Sequence, residues 1–405
     1  MNILKRFGEK IKTVSRDFIY NIMASVILTG TMQLIVYPFL AKKLTSGDYG
    51  TIVTVMGVIN TIAGSLGTAL NNTRIIMNND YAKKGEIGDF NPLLIVVLFL
   101  SFFSIIGISF FYFGYAFGTS LILGLISLFV AARQYITVEY RLILNFKKLL
   151  VSNIFGAIGY LIGLFYGGRY WALMFLTSEV FAMIYVLYST SIWKEKLIVT
   201  RYFETTANKT MILLISVFFS NTLTYFDRIF LYPTLGSEAV SIYTVASFMG
   251  KSLAIVFTPI GGVLLGYFAQ NSFRMSKKKF RLFNVSILGI SAFFAILIFL
   301  IGPFITRLLY SEIYPMAREY LFIANGAAVV AVICNMIQTV ILKFSPTYFQ
   351  IVKEILYLFT YLLLCFLLIP TYGLVGFCIA TLLSNIIKYI TITVMGELTF
   401  RAIHR

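Results

Sequence analysis

Residues 208–243 read NKTMILLISVFFSNTLTYFDRIFLYPTLGSEAVSIY, and the rest of the chain is best read outward from them. The stretch follows a polar interruption at 193–207 and opens an apolar span that carries Asp227 and Arg228 side by side. It ends in a Tyr232-Pro233 corner followed by a small-acidic turn, Gly236-Ser237-Glu238. The same plan occurs near the N-terminus, where an apolar span reaches Tyr37-Pro38 and then Leu44-Thr45-Ser46-Gly47-Asp48-Tyr49-Gly50. A seventh span that restarts the design of the first implies two related halves.

Of 405 residues, 59% are hydrophobic and 12% charged, about half the charged share of an ordinary soluble domain. The apolar residues come in blocks of about 20, the length a helix needs to cross ~30 Å of hydrocarbon. They do not alternate at period 2, as strands of a membrane barrel would. The reading is an all-α, multi-pass membrane protein. Its net charge of +17 sits in short loops, where it reports orientation in a bilayer and not a nucleic-acid partner. Cys334, Cys365 and Cys378 lie in apolar segments without metal-like spacing and read as small core residues. At 1–17, Ile3, Phe7, Ile11 and Val14 form one stripe among Lys5, Arg6, Lys10, Lys12 and Arg16, the pattern of an interfacial amphipathic helix.

Hydropathy gives about twelve spans: 18–40, 49–70, 92–113, 119–141, 150–166 and 170–192, then 210–231, 239–268, 283–305, 316–341, 349–369 and 373–396. Connections on one side are minimal, at 114–118, 167–169, 232–238 and 370–372. Those on the other side are longer and basic, with Arg74, Lys83, Lys84, Lys147, Lys148, Lys194, Lys196, Arg201, Lys209, Arg274, Lys277, Lys278, Lys279 and Arg281. Lys and Arg are retained on the cytoplasmic side, so both termini are expected there.

Ile143-Leu144-Asn145-Phe146 echoes Ile341-Leu342-Lys343-Phe344, and Tyr166-Gly167-Gly168 echoes Tyr372-Gly373-Leu374. An offset of about 190–206 residues throughout makes six spans per half, so the copies share one orientation. The expectation is two six-helix lobes related by a pseudo-two-fold axis along the membrane normal. The divisions are the helix at 1–17, an N-lobe at 18–192, a cytoplasmic linker at 193–209, a C-lobe at 210–396 and a cytoplasmic tail at 397–405.

Charged side chains are costly in hydrocarbon and tend to face a bundle interior or a wet cavity. Glu139, Glu319, Glu354 and Arg318 sit near span ends, where long side chains reach the headgroups. Asn221, Tyr225 and Arg228 are spaced four and three and share one helical face. Lys251 lies inside the eighth span, with Ser247 one turn earlier. Arg228 and Lys251 are therefore candidate cavity cations; the alternative is an Asp227–Arg228 pair that only anchors a helix end. Arg133, Lys388 and Glu179 are each either a cavity residue or half of an interhelical pair. Pro259-Ile260-Gly261-Gly262 interrupts the eighth span and predicts a bend. The only histidine is His404, and no Gly-rich loop ends in Lys-Ser or Lys-Thr. Hence the reading assigns no catalytic residues, no metal site and no cofactor.

The Leu44–Gly50 turn after span one and the Tyr225-Phe-Asp-Arg-Ile-Phe-Leu…Leu235-Gly segment of span seven resemble the polysaccharide biosynthesis/O-antigen flippase family. That family belongs to the multidrug/oligosaccharidyl-lipid/polysaccharide exporter superfamily. Thr45-Ser46 stands where the family often has Gly-Pro. The resemblance implies a transporter in a bacterial cytoplasmic membrane. It would move undecaprenyl-diphosphate-linked oligosaccharides to the outer leaflet by alternating access, beside polysaccharide polymerase and glycosyltransferases. Arg228, Lys251 and Arg133 would then line a cationic cavity with Arg74 near its mouth, and Asn21, Asn60, Asn221 and Tyr225 could contact sugar. A cation-coupled multidrug exporter would use Asp227 and Glu179 instead. A teichoic-type or peptidoglycan-precursor flippase is a nearer variant, and a non-transporting membrane protein is the third class.

Overall fold

A computed structural model describes residues 19–84, 88–268 and 275–402, and their regular structure is helical throughout. The helix expected at 1–17 and His404 lie outside the described residues, as do the side chains of Pro259 and Gly262 on which the expected bend rests.

In chain order the helices are α1 (Ile19–Lys43), α2 (Ser46–Lys84), α3 (Phe90–Gly107), α4 (Phe117–Ile136), α5 (Phe146–Gly163) and α6 (Trp171–Ser189). Then follow α7 (Phe203–Thr224), α8 (Phe226–Ala246), α9 (Phe248–Phe268), α10 (Lys277–Leu309), α11 (Leu321–Phe344) and α12 (Thr347–Ala402). Nine helices among the described residues are long and apolar enough to cross a membrane, or ten if the bent pair α7 and α8 is one span. Two of the connections expected from hydropathy are nearly absent. At 232–238 only Gly236 leaves the helical region (φ 86°), and beside 370–372 the break is the next residue, Gly373 (φ 56°). Each follows a proline three residues earlier, Pro233 and Pro370, which removes a backbone donor where the chain must turn back. Glycine takes the left-handed conformation without the clash a Cβ would cause.

Proline also shapes α1. Residues Met32–Val36 form a π-helical turn, and the Tyr37 N–H reaches back to the Met32 carbonyl. Pro38 follows at once; its missing N–H and its bulk against the preceding turn favour the wider winding.

The described chain clusters into two compact units: residues up to Leu44 with Thr51–Pro233, and Thr45–Gly50 with the residues from Thr234. The grouping therefore places residues 210–233, expected to open a C-lobe, in the first unit. In that unit α5 packs along α6 and α4 packs on α3 and α6. Gly159 makes the first contact close, since a Cβ there would lie 2.7 Å from the Ser178 Cα. Small residues bring helix backbones together this way where water supplies no drive between apolar faces. Polar threads finish the unit: Asn153 donates to the Ala24 carbonyl (2.9 Å) and Asn71 to the Gln134 carbonyl (2.7 Å).

In the second unit α11 is the hub, packed against α9, α10 and α12. Its core includes Phe280, Ile337, Val340, Ile341, Ile392 and Phe400. Gly250 presses on α11, and its N–H donates to Asn325 Oδ1 at 2.7 Å. The Thr45–Gly50 turn belongs here too. Thr45 Oγ1 accepts from the Asp48 N–H (3.1 Å) and donates to Asp48 Oδ2 (2.7 Å), an N-cap for α2. Ser46 bonds Ser241 at 3.2 Å, and the buried Tyr49 ring lies 6.3 Å from that of Tyr310. A Cβ on Gly50 would collide with the Ser237 carbonyl. Cys334, Cys365 and Cys378 are all free and 0% exposed.

Candidate functional site

Arg228 sits one turn beyond a break in the seventh span. There α7 ends at Thr224, Tyr225 takes φ −104° and ψ 15°, and α8 departs at 58°. The polar face expected along one continuous helix is thus folded at its middle residue. Tyr225 and Arg228 still meet: the guanidinium lies 5.5 Å from the Tyr225 ring centre and 5.8 Å from that of Tyr37, the residue after the π turn. Such a cation–aromatic contact is worth roughly 0.5–2 kcal/mol depending on desolvation. Gly57 of α2 leaves room for the stem of Arg228, whose Cδ would stand 3.3 Å from a Cβ there. Arg228 and Asp227 are both 8% exposed. Asp227 lies in the first turn of α8, where the positive end of the helix dipole favours a carboxylate. Asn221 donates to Ser65 Oγ of α2 at 2.9 Å.

Two other expected cations are held by carboxylates. Arg133 reaches Glu179 through Nε (2.7 Å) and a terminal nitrogen (2.8 Å), linking α4 to α6. Arg74 holds Glu195 in the same two-bond fashion (2.8 and 2.7 Å) and stacks 4.4 Å above Phe90. Paired arginine–carboxylate forks of this kind are strong and directional. Of the choices open for Arg133 and Glu179, the geometry is an interhelical pair. Tyr37 faces Phe175 at 6.4 Å and Phe175 meets Tyr160 edge-on at 5.7 Å. An aromatic chain within the first unit therefore runs from Arg228 through Tyr37 and Phe175 to Tyr160.

Lys251 belongs to the second unit, where its ammonium lies 4.9 Å from the Tyr243 ring centre. Asn60 donates back to the Met56 carbonyl of its own helix (2.8 Å), and Asn21 is half-buried on α1.

Asp89 and Asn91, which sequence reasoning passed over, and Glu139, expected to reach the headgroups, hold the start of the stretch expected as a cytoplasmic linker. Asp89 is fully buried at φ 67°. It accepts from the Thr200 N–H (2.7 Å), the Thr200 hydroxyl and the Tyr81 hydroxyl. Asn91 donates to the Glu195 carbonyl at 2.7 Å, and Glu139 accepts from the Ser191 and Ile192 N–H groups at 2.7 and 2.8 Å. The only sequence signal was a pair of acids flanking apolar blocks. Lys353, 0% exposed in its side chain, was also missed, and its neighbour Glu354 is its ion-pair partner at 2.9 Å, whereas the position near a span end had suggested contact with headgroups. Among the described residues no group of three or more His, Cys, Asp or Glu side chains could hold a metal.

No protein-family model matches the sequence, and no curated protein matches it. The architecture does have solved counterparts. A mutant of the Vibrio cholerae MATE transporter VcmN aligns over 96% of this chain and 97% of its own, at 15% identity and a TM-score of 0.63. An outward-facing multidrug resistance MATE family transporter of the MOP superfamily aligns over 97% and 96%, at 12% identity and 0.61. The lipid II flippase MurJ in an inward closed conformation covers 94% of this chain and 85% of its own, at 16% identity and 0.58. The chain has the all-helical fold shared by these membrane transporters and flippases.

Proposed function

We propose that the chain is a flippase for a lipid-linked, diphosphate-bearing oligosaccharide, moved across a bacterial cytoplasmic membrane by alternating access. It is a carrier, not an enzyme, and both its termini are cytoplasmic. The observation that carries the reading is the desolvated guanidinium of Arg228, set over Tyr37 and Tyr225 at a broken transmembrane helix. Broken helices at membrane depth expose polar backbone and are where transporters of many folds bind substrate. Guanidinium is suited to phosphate oxygens because it is planar and weakly hydrated. Arg228 and Lys251 are assigned the headgroup, and Arg133 and Arg74 are paired with Glu179 and Glu195. Arg133 and Arg74 hold the walls, and Asn21, Asn60, Asn221 and Tyr225 are the proposed sugar contacts.

The test is complementation of surface polysaccharide in cells lacking their own flippase. Arg228→Ala is expected to lower export at least tenfold at normal expression, and Arg228→Lys to recover part of it. Full export by both Arg228→Ala and Lys251→Ala would remove the assignment. The buried Asp227 in the first turn of α8 favours a second reading, a cation-coupled exporter of small molecules. In that case Asp227→Asn abolishes drug resistance and no glycan phenotype appears. A peptidoglycan-precursor or teichoic-type substrate would show instead as rescue of the corresponding wall polymer.

A further inference from the structure

Two lysines share one carboxylate inside the second unit. Lys353 Nζ donates to Glu354 Oε1 at 2.9 Å. Lys388 Nζ stands 4.0 Å from Glu354 Oε2, its side chain 13% exposed. The Lys388 ammonium also lies 4.4 Å from the Tyr357 ring centre. The formal sum is one positive charge inside a helix apolar enough to cross a membrane. An uncompensated charge there is costly and marks a functional position by default.

The surplus is one of donors as well as of charge. Among the described residues, Lys353 Nζ has Glu354 as its hydrogen-bond partner, and Lys388 Nζ has no acceptor within bonding distance. Ser384 is fully buried one turn before Lys388, and its hydroxyl has no partner. The Gln350 amide nitrogen, one turn before Lys353 and Glu354, is buried without a partner as well. Spacings of three and four put each on the same helix face as the charge that follows it. Every unmet group can donate, and Glu354 is the carboxylate beside them, with Lys353 as its bonded donor. What completes such a set is a compact acceptor with negative charge.

We propose that the two arms of α12, before and after Gly373, form an oxyanion site for a phosphate group, held by Lys353 and Lys388 with Gln350 and Ser384. Lys353 lies six residues past Thr347, about 9 Å along the helix. At that end Ser345 bonds Thr399 at 2.8 Å, which brings the outer ends of the two arms together. Lys277 and Arg281 flank Glu397 there, and a basic rim raises the local concentration of anions. The phosphate is either a lipid headgroup or a free anion. The site does not rest on the transport reading, which complementation tests separately.

The experiment is calorimetric titration of the purified full chain in neutral detergent with inorganic diphosphate, at matched ionic strength. If the source is free anion, wild type binds and Lys388→Gln binds at least tenfold more weakly. Glu354→Gln binds more tightly, because the competing carboxylate is gone. Opposite signs at Lys388 and Glu354 are not produced by a triad that only braces helices. For the headgroup source, the chain is placed in phosphatidylcholine discs with and without phosphatidylglycerol, and retained lipid is weighed by native mass spectrometry. Anionic lipid is then kept by wild type and Glu354→Gln and lost by Lys388→Gln. If Lys388→Gln does not fold, Ser384→Ala and Gln350→Leu remove donors without touching a charge and are expected to weaken binding severalfold. Failure of these variants to differ from wild type in both formats overturns the proposal.

Discussion

Arg133 and Glu179 are each other's environment: two nitrogens meet two oxygens, with side chains 12% and 9% exposed. Removing one partner leaves the other charged and dry, so Arg133→Ala should cost roughly 3–5 kcal/mol. Loss of folded yield and a lower unfolding temperature in detergent would report it. The double change Arg133→Met with Glu179→Leu should recover most of that loss, because an apolar pair of similar volume needs no compensation. Arg228 is the contrasting residue. Its guanidinium is set against the Tyr225 and Tyr37 rings and its proposed role is in transport, so Arg228→Gln should lower export by more than it lowers folded yield. A fall in stability matching that of Arg133→Ala would class Arg228 as structural. From sequence the carboxylate partners of Arg133 and Arg74 were not visible, because Glu179 lies 46 positions from Arg133 and Glu195 lies 121 from Arg74. Only the fold brings those carboxylates in.

At the scale of elements, the spans were legible because apolar blocks of about 20 residues have one use in a chain of this composition. Where they turn was legible in part. Gly114, Gly167, Gly236 and Gly373 all take positive φ; the first three fall within connections that hydropathy had made minimal, and Gly373 comes one residue after the fourth. An l-residue at any of them is strained by roughly 1–2 kcal/mol, so Gly373→Ala should lower the unfolding temperature although nothing lies within 4 Å of the new methyl. The break at Tyr225 was not legible. Thr224-Tyr225-Phe226 contains neither glycine nor proline, and the backbone is closed by turn bonds such as the Arg228 N–H to the Tyr225 carbonyl (3.0 Å). The docked linker was equally silent, since Asp89 and Thr200 are 111 positions apart. Asp89→Ala should strip three donors of a buried acceptor, a loss of about 1–3 kcal/mol per group left unmet. Hydrogen exchange should then rise at Ile198 and Thr200 while α5 and α6 stay protected.

At the scale of the molecule, the distribution of lysine and arginine makes an orientation prediction that packing cannot make. Cysteine placed at the exposed Lys278 should react with an impermeant maleimide only after the membrane is opened, and one at the exposed Thr371 should react in intact cells. The reverse pattern would invert the topology. Chemistry of this kind usually begins by stripping a protein of its own thiols, with the risk that the stripped version no longer works. Here Cys334, Cys365 and Cys378 are sealed in helix contacts of the second unit. A folded molecule offers the reagent nothing of its own, so the natural chain is already a blank slate on which any introduced sulfhydryl reports alone.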